Sequence, residues 1–427
     1  MPSAKLPVTF DPKLTRADRI VLQNLNEDIK SRSGGAVQND DAAAASRLEE
    51  NVSTLKALCN PADAQFEPTV FTSVDLDEAR SLVPAFLRRL LDGYIGWARK
   101  AVRVETDVVL LTHLIIYFTT SLPSAVLLYC RFTWLHAFLH LVMQGAYMGP
   151  YTLLKHQHIH MRGVLHKRLG LIDHLFPYVM DPLMGHSWNS YYYHHVKHHH
   201  VEGNGPDDLS STIRYQRDSV AHFLCYVGRF YFLIWFDLPR YFLSKKKLGL
   251  AWRAGAWELG SYAALYMAFK FNARATTFVF LIPLLLLRVA LMVGNWGQHA
   301  FVDEDEPDSD YRSSITVIDV MSNRLCFNDG YHTSHHLNPL RHWRDHPAAF
   351  LQSKHEYASQ QALVFHNIDY FMITVKLLLK DYEHLAKCMV PVGDQISMSL
   401  EERVTLLKRH TRAFTEEEIR KKFGKAS

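Results

Sequence analysis

DVVLLTHLIIYFTTSLPSAVLLY, residues 107–129, holds one acidic residue at its very edge and is long and apolar enough to cross the hydrocarbon core of a bilayer. FTWLHAFLHLVMQGAYMGPYTLL, residues 132–154, carries no formal charge outside its histidines, and only Cys130 and Arg131 separate the two stretches. They read as a transmembrane hairpin. A second hairpin is expected at 256–271 and 276–297, turned at NARAT (272–276), although its first arm is short and contains Glu258. The aromatic stretch 220–243 is interrupted by Arg229, Asp237 and Arg240. Charge at mid-membrane is expensive, so this stretch is expected to lie along the interface rather than across it. Parity agrees: four spans leave every histidine cluster on one side, and five would divide them.

Arg99, Lys100 and Arg103 precede the first span, while Lys155, Arg162, Lys167 and Arg168 follow the second. Arg240, Lys245, Lys246, Lys247 and Arg253 precede the third, and the two outer turns hold only Arg131 and Arg274. The positive-inside rule then puts both termini and all histidine clusters in the cytosol. Working outward, residues 1–104 form a cytosolic N-terminal region with a linker or weak helix at 31–46. After Pro84, Leu87, Leu90, Leu91, Tyr94 and Ile95 recur at helical spacing, with Arg88, Arg89 and Asp92 opposite. That amphipathic helix either packs on a soluble core or lies in the interface. Residues 105–345 form the membrane domain. Residues 346–427 read as a cytosolic helical region whose Thr415 and Glu418 have capping-box spacing. The expected fold class is all-α, a polytopic membrane protein with about four transmembrane helices and a cytosolic helical cap.

Composition narrows the chemistry. The 427 residues are 48% apolar with a net charge of +4, too mild a balance to argue for nucleic acid. A mean hydropathy of −0.10 excludes a chain wholly embedded in lipid. Five scattered cysteines without a CxxC give no support to a disulfide scaffold or a thiolate zinc site. The 25 histidines are the outlier, with thirteen between His136 and His200 and eight between His299 and His366. Such crowding calls for a chemical reason.

Four clusters supply it. KHQHIH offers His156 and His160 at i, i+4. YYYHHVKHHH offers His195, His198 and His199 as HxxHH, with His194 and His200 leaving other registers open. GNWGQH places Asn295 and His299 at i, i+4, and GYHTSHH places His332, His335 and His336 as a second HxxHH. On a helix these spacings point imidazoles to one face. Nine neutral nitrogen ligands exceed one four-coordinate zinc or one octahedral ion, which favours two metals with room for an exogenous ligand. There is no HExxH motif and no pair of Glu-x-x-His motifs. The expected site is a histidine-rich di-metal centre at the cytosolic membrane surface.

The series HxxxH, HxxHH, NxxxH and HxxHH, interleaved with two hairpins over roughly residues 105–345, resembles the integral-membrane fatty acid desaturase superfamily with its related hydroxylases. That resemblance implies an oxidoreductase with a di-iron centre that uses O2 to attack an unactivated methylene of a fatty acyl chain. It implies His156, His160, His195, His198, His199, His299, His332, His335 and His336 as iron ligands, with Asn295 holding a metal-bound water. It also implies an acyl-CoA or acyl-lipid substrate and an external electron donor, either cytochrome b5 with an NAD(P)H reductase or ferredoxin. Residence in the endoplasmic reticulum membrane follows from the same likeness. Two departures stand out: the first box has an extra His158 and lacks an acidic residue, and the second box is over-supplied with histidine.

Several neighbours are open to two readings. His136 and His140 are packing or tunnel residues rather than ligands. Asp173, Asp207, Asp208 and Asp329 are either partners of metal-bound imidazoles or ordinary turn carboxylates. Trp188, Tyr191, Tyr192 and Tyr193 line an acyl channel or form an interfacial belt. Desaturation is the expected reaction and hydroxylation on the same scaffold its nearest rival. A histidine-rich metal transport or storage protein is the rival from another class, and it requires the histidines to lie inside the spans.

Overall fold

The computed structural model describes residues 10–11, 14–33 and 41–424. The extreme chain ends, expected in the cytosol, and residues 34–40 of the expected linker lie outside the described residues. The rest of that linker is helical, divided between α1 (Arg16–Ser33) and α2 (Asp41–Cys59). Among the described residues the chain is predominantly helical, with four short strands in two pairs. β1 (Thr69–Phe71) and β2 (Val74–Asp75) pair antiparallel before α3 (Arg88–Ala101). That helix buries Ile95, Ala98 and Ala101 and leaves Leu90 and Trp97 exposed.

Two helical hairpins follow. α4 (Val108–Cys130) turns into α5 (Trp134–Met161), whose Thr133 cap accepts a hydrogen bond from the His136 amide. α6 (Gly170–Leu183) leaves Leu171, Ile172 and Leu175 exposed. α7 (Val220–Ser244) packs against α8 (Leu248–Phe271), and its Arg229 and Asp237 pair at 3.0 Å. Asn272 caps the turn after α8, and a π-helical turn, Thr277–Leu281, leads into α9 (Ile282–Gln298). The hairpin tips touch: Tyr129 and Thr276 share a hydrogen bond at 2.5 Å, and Asn272 Nδ2 donates to the Tyr129 carbonyl.

Among the described residues, two helices are long and apolar enough to cross a membrane, Glu105–Cys130 and Ala273–Gln298. Their partners α5 and α8 carry polar groups that lower their hydropathy, and those groups turn inward. His136 and His140 both reach Ser124 of α4 at 2.9 Å, and Gln144 contacts His140, so these histidines serve helix packing. Outward, α5 exposes Trp134, Leu135, Phe138 and Leu139, and α8 exposes Trp252, Leu259 and Met267. Contiguous apolar faces of this kind mark a surface covered by something other than water.

The cap closes over the histidine end. β3 (Thr316–Ile318) pairs parallel with β4 (Val364–His366) behind α10 (His332–Leu337). α11 (Tyr370–Leu378) packs on α9. These contacts join residues on either side of position 345, so the two regions divided there share one core. The tails seal it. Tyr331 donates to Asp18 of α1 at 2.6 Å, and buried Arg217 donates to the carbonyls of His410 and Arg412. Beyond α12 (Leu400–Arg409), the Thr415–Glu418 capping box opens α13 (Glu416–Phe423).

Candidate metal centre

α5 does not stop at the end of its apolar stretch. It continues two turns further, so one rigid helix carries His156 and His160 into the cap with ring centroids 4.6 Å apart. His299 sits at the C-cap of α9, and α10 is little more than the turn that holds His332, His335 and His336. Residues Tyr192–His199 form a π-helix, in which the His200 amide donates back to the His195 carbonyl. Single π-turns recur at functional sites because the wider turn changes which side chains share a face.

That change decides the second box. With five residues per hydrogen-bonded step, His195 faces His200, and their Nε2 atoms lie 3.1 Å apart. His198, expected in the ligand set from α-helical spacing, is turned away. Its Nε2 accepts from the Leu209 amide at 3.1 Å, and its ring stacks edge-on against Tyr241. Two groups of ligand atoms result. One comprises His156, His160, His195, His200 and His335, the other His199, His299 and His336. His332 adjoins the second group, with its Nε2 3.2 Å from His299 Nε2 and 3.0 Å from His336 Nε2. Eight of the nine expected histidines therefore converge, and His200 replaces the ninth.

The donor set can be tested for its fit to cations. His299 Nδ1 lies 2.7 Å from the Ser313 carbonyl, and His199 Nδ1 lies 2.8 Å from Asp208 Oδ2. Neither oxygen can donate, so each ring spends its proton on Nδ1 and presents a bare Nε2 lone pair to the group. Elsewhere Nε2 meets Nε2: His156 to His335 at 3.0 Å and His335 to His200 at 2.8 Å. Burial, reinforced by neighbouring imidazoles, pushes His156, His195, His200, His299, His332 and His335 well below the usual histidine range, and His160 to about 4. Each such pair can share at most one proton, and wherever both rings carry theirs on Nδ1 the facing lone pairs repel one another unless a cation sits among them. His156 Nδ1 and His160 Nε2 are buried without a hydrogen-bond partner, an arrangement that costs free energy unless a ligand completes it. The residues fit metal ions.

The remaining expected residues sort by contact. Asn295 donates through Nδ2 to the Ser210 carbonyl at 2.8 Å and to Tyr226 at 2.6 Å. Of the four carboxylates, Asp208 orients His199. Asp173 accepts from the Val164 and Leu165 amides, and Asp207 pairs with Lys245. Asp329 is half-buried in the cavity wall, and desolvation pushes its carboxyl up to about 7. Tyr191 stacks on His195, Trp188 donates to the Tyr178 carbonyl, and Tyr193 packs on α7. Both histidine groups open on a single cavity of about 750 Å³, whose wall includes Tyr191, Asn295 and Asp329. Two partners escaped the sequence reading. His346 holds Ser334 at 2.9 Å beneath His335, and Arg288 pairs with Glu258 in the cavity wall. The isolated charges of the latter pair, inside apolar stretches, were its only signal.

A family model described as fatty acid desaturase matches residues 132–367, more than half of the chain. No curated protein and no solved structure matches it.

Proposed function

The chain belongs to the fatty acid desaturase family, and from that premise we propose that it carries out O2-dependent desaturation of a fatty acyl chain at a histidine-held di-iron centre. The observation that carries this reading is the convergence of two groups of neutral imidazoles on one largely apolar cavity. His156, His160, His195, His200 and His335 would hold one iron, and His199, His299, His332 and His336 the other, with Asn295 beside them. When bound, the irons supply what no side-chain acid or base can, activation of dioxygen and removal of hydrogen from an unactivated methylene. The chain's own residues do the rest. Asp208 and the Ser313 carbonyl fix ring orientation and tautomer, Tyr191 stacks on His195 and holds its ring, and the apolar wall excludes water and aligns the chain.

The proposed setting is a bilayer crossed by both hairpins, four spans in all, within a membrane domain at 105–345. The regions 1–104 and 346–427 complete the cap in the cytosol, and α7 lies along the interface. The exposed apolar faces of α5 and α8 and the touching hairpin tips support this arrangement. Electrons would come from an external donor, such as cytochrome b5 with its reductase or ferredoxin, and the endoplasmic reticulum is the expected membrane. Mass spectrometry of total acyl lipids from yeast expressing wild type or His335→Ala tests the reaction. A species lacking two hydrogens, seen only with wild type, is the expected result. A species gaining one oxygen would instead make the enzyme a hydroxylase.

A further inference from the structure

Away from the histidines, much of the wall of the same cavity is apolar, built from residues such as Ile234, Trp235, Leu238, Leu287 and Leu291, and an ion pair interrupts it. Arg288 of α9 forms an ion pair with Glu258 of α8, donates to the Tyr262 hydroxyl at 2.6 Å and reaches Ser187 Oγ at 3.3 Å. Ser190 and Tyr262 both donate to Glu258. Glu258, Arg288, Ser187 and Ser190 all line the cavity. Arg288 lies seven residues before Asn295 on α9, about 10 Å along the helix axis from it.

An ion pair placed here needs a reason. Stripping both charges of water costs several kcal/mol, and apolar residues would join α8 to α9 without that cost. Ionisable groups within membrane-spanning helices generally mark a ligand path. We infer that this polar cluster recognises a hydroxyl group on the substrate chain, so that the enzyme's lipid is hydroxylated at a point remote from the carbon that reacts. The inference rests on the lipid-desaturase reading of the cavity. The cluster's chemistry selects the group. Arg288 and Glu258 cancel in charge, so the site gives no net attraction to a carboxylate or phosphate. It places strong donors beside strong acceptors, and a hydroxyl is the small neutral group that uses both. The cluster's groups already bond one another, and Arg288 also reaches the Tyr231 carbonyl, so a plain methylene gains nothing there while a hydroxyl adds hydrogen bonds to charged groups.

The test is binding, separate from turnover. Purified, metal-loaded protein in detergent, held anaerobic, is titrated with stearic acid, a series of hydroxystearic acids substituted at successive positions, and stearyl alcohol, each displacing a fluorescent fatty acid. One chain-hydroxylated isomer should bind roughly ten- to a hundredfold tighter than stearic acid, the worth of one hydrogen bond to a charged group. Preference for stearyl alcohol alone would assign the cluster to a head-group hydroxyl and overturn the chain-hydroxyl proposal. The paired variant Glu258→Leu/Arg288→Leu leaves no orphaned charge, so it should keep its fold and bind stearic acid at least as well, with the isomer preference gone. Equal binding of all probes by wild type overturns the proposal. So does loss of stearic acid binding and thermal stability together in the paired variant, which would make the cluster a strut. A hydroxyl preference without any desaturated product would leave this inference standing and remove the reaction instead.

Discussion

At the scale of single residues, the second histidine box turns on two positions two residues apart. His200 Nε2 lies 2.8 Å from His335 Nε2, whereas His198 Nε2 is turned to the Leu209 amide, from which it accepts. Removing a metal ligand lowers metal occupancy, and removing a distant ring does not. His200→Ala should therefore lose most of one of the two metal equivalents by elemental analysis, while His198→Ala keeps both. The reverse outcome would restore the α-helical register. Most of the site was legible in the sequence because His156, His160, His332, His335 and His336 lie on α-helical turns, where spacing alone fixes the face. His198 lies outside the converging groups because a π-turn depends on what the segment packs against, and spacing does not record that.

At the scale of elements, the position of His299 is set by how closely the last turn of α9 can approach α11. Gly297 allows the contact, since a Cβ there would overlap the Tyr370 carbonyl oxygen, which is backbone and cannot step aside. Tyr370 in turn donates to the Gly330 carbonyl at 2.7 Å, two residues before His332, so one contact ties two histidine-bearing elements together. Gly297→Ala should cost about 1–3 kcal/mol by overpacking, read as a fall in the thermal midpoint accompanied by reduced metal content. Gly294→Ala, one turn earlier with no atom within 4 Å of its Cβ, is the control and should leave both unchanged or raise stability slightly. Equal behaviour of the two variants would remove the α9–α11 contact from the account of the site. The helix itself was readable from its apolar run, but this approach was not, because a glycine in a helix looks the same whether or not another backbone touches it.

At the scale of the whole molecule, the hairpins decide whether the histidine groups and the membrane can face each other as proposed. α5 and α8 read weakly as spans because His136, His140 and Gln144 on one, and Arg253, Glu258 and Lys270 on the other, dilute their apolar character. Once His136 and His140 turn toward Ser124, and Glu258 toward Arg288, the exposed charges left are Arg253 and Lys270 near the two ends of α8, and the faces between are largely apolar. Both hairpin tips then lie together at the end remote from the cap, joined through Tyr129 and Thr276. Each arm is at least 17 residues long, and with its leading turn α9 reaches 26 residues, enough at 1.5 Å per residue to cross the roughly 30 Å hydrocarbon core. Exposed Cys130 marks one tip, and Arg274→Cys would mark the other. In variants carrying a single cysteine, a membrane-impermeant maleimide applied to sealed microsomes should spare both tip positions until the vesicles are opened. Lys408→Cys, exposed on α12, should react at once. Reaction of Cys130 in sealed vesicles would mean that α4 and α5 do not cross as a hairpin, and reaction of Arg274→Cys alone would mean the same of α8 and α9 only. Protection of both tips puts both histidine groups on the cytosolic side, where the proposed electron donors are found.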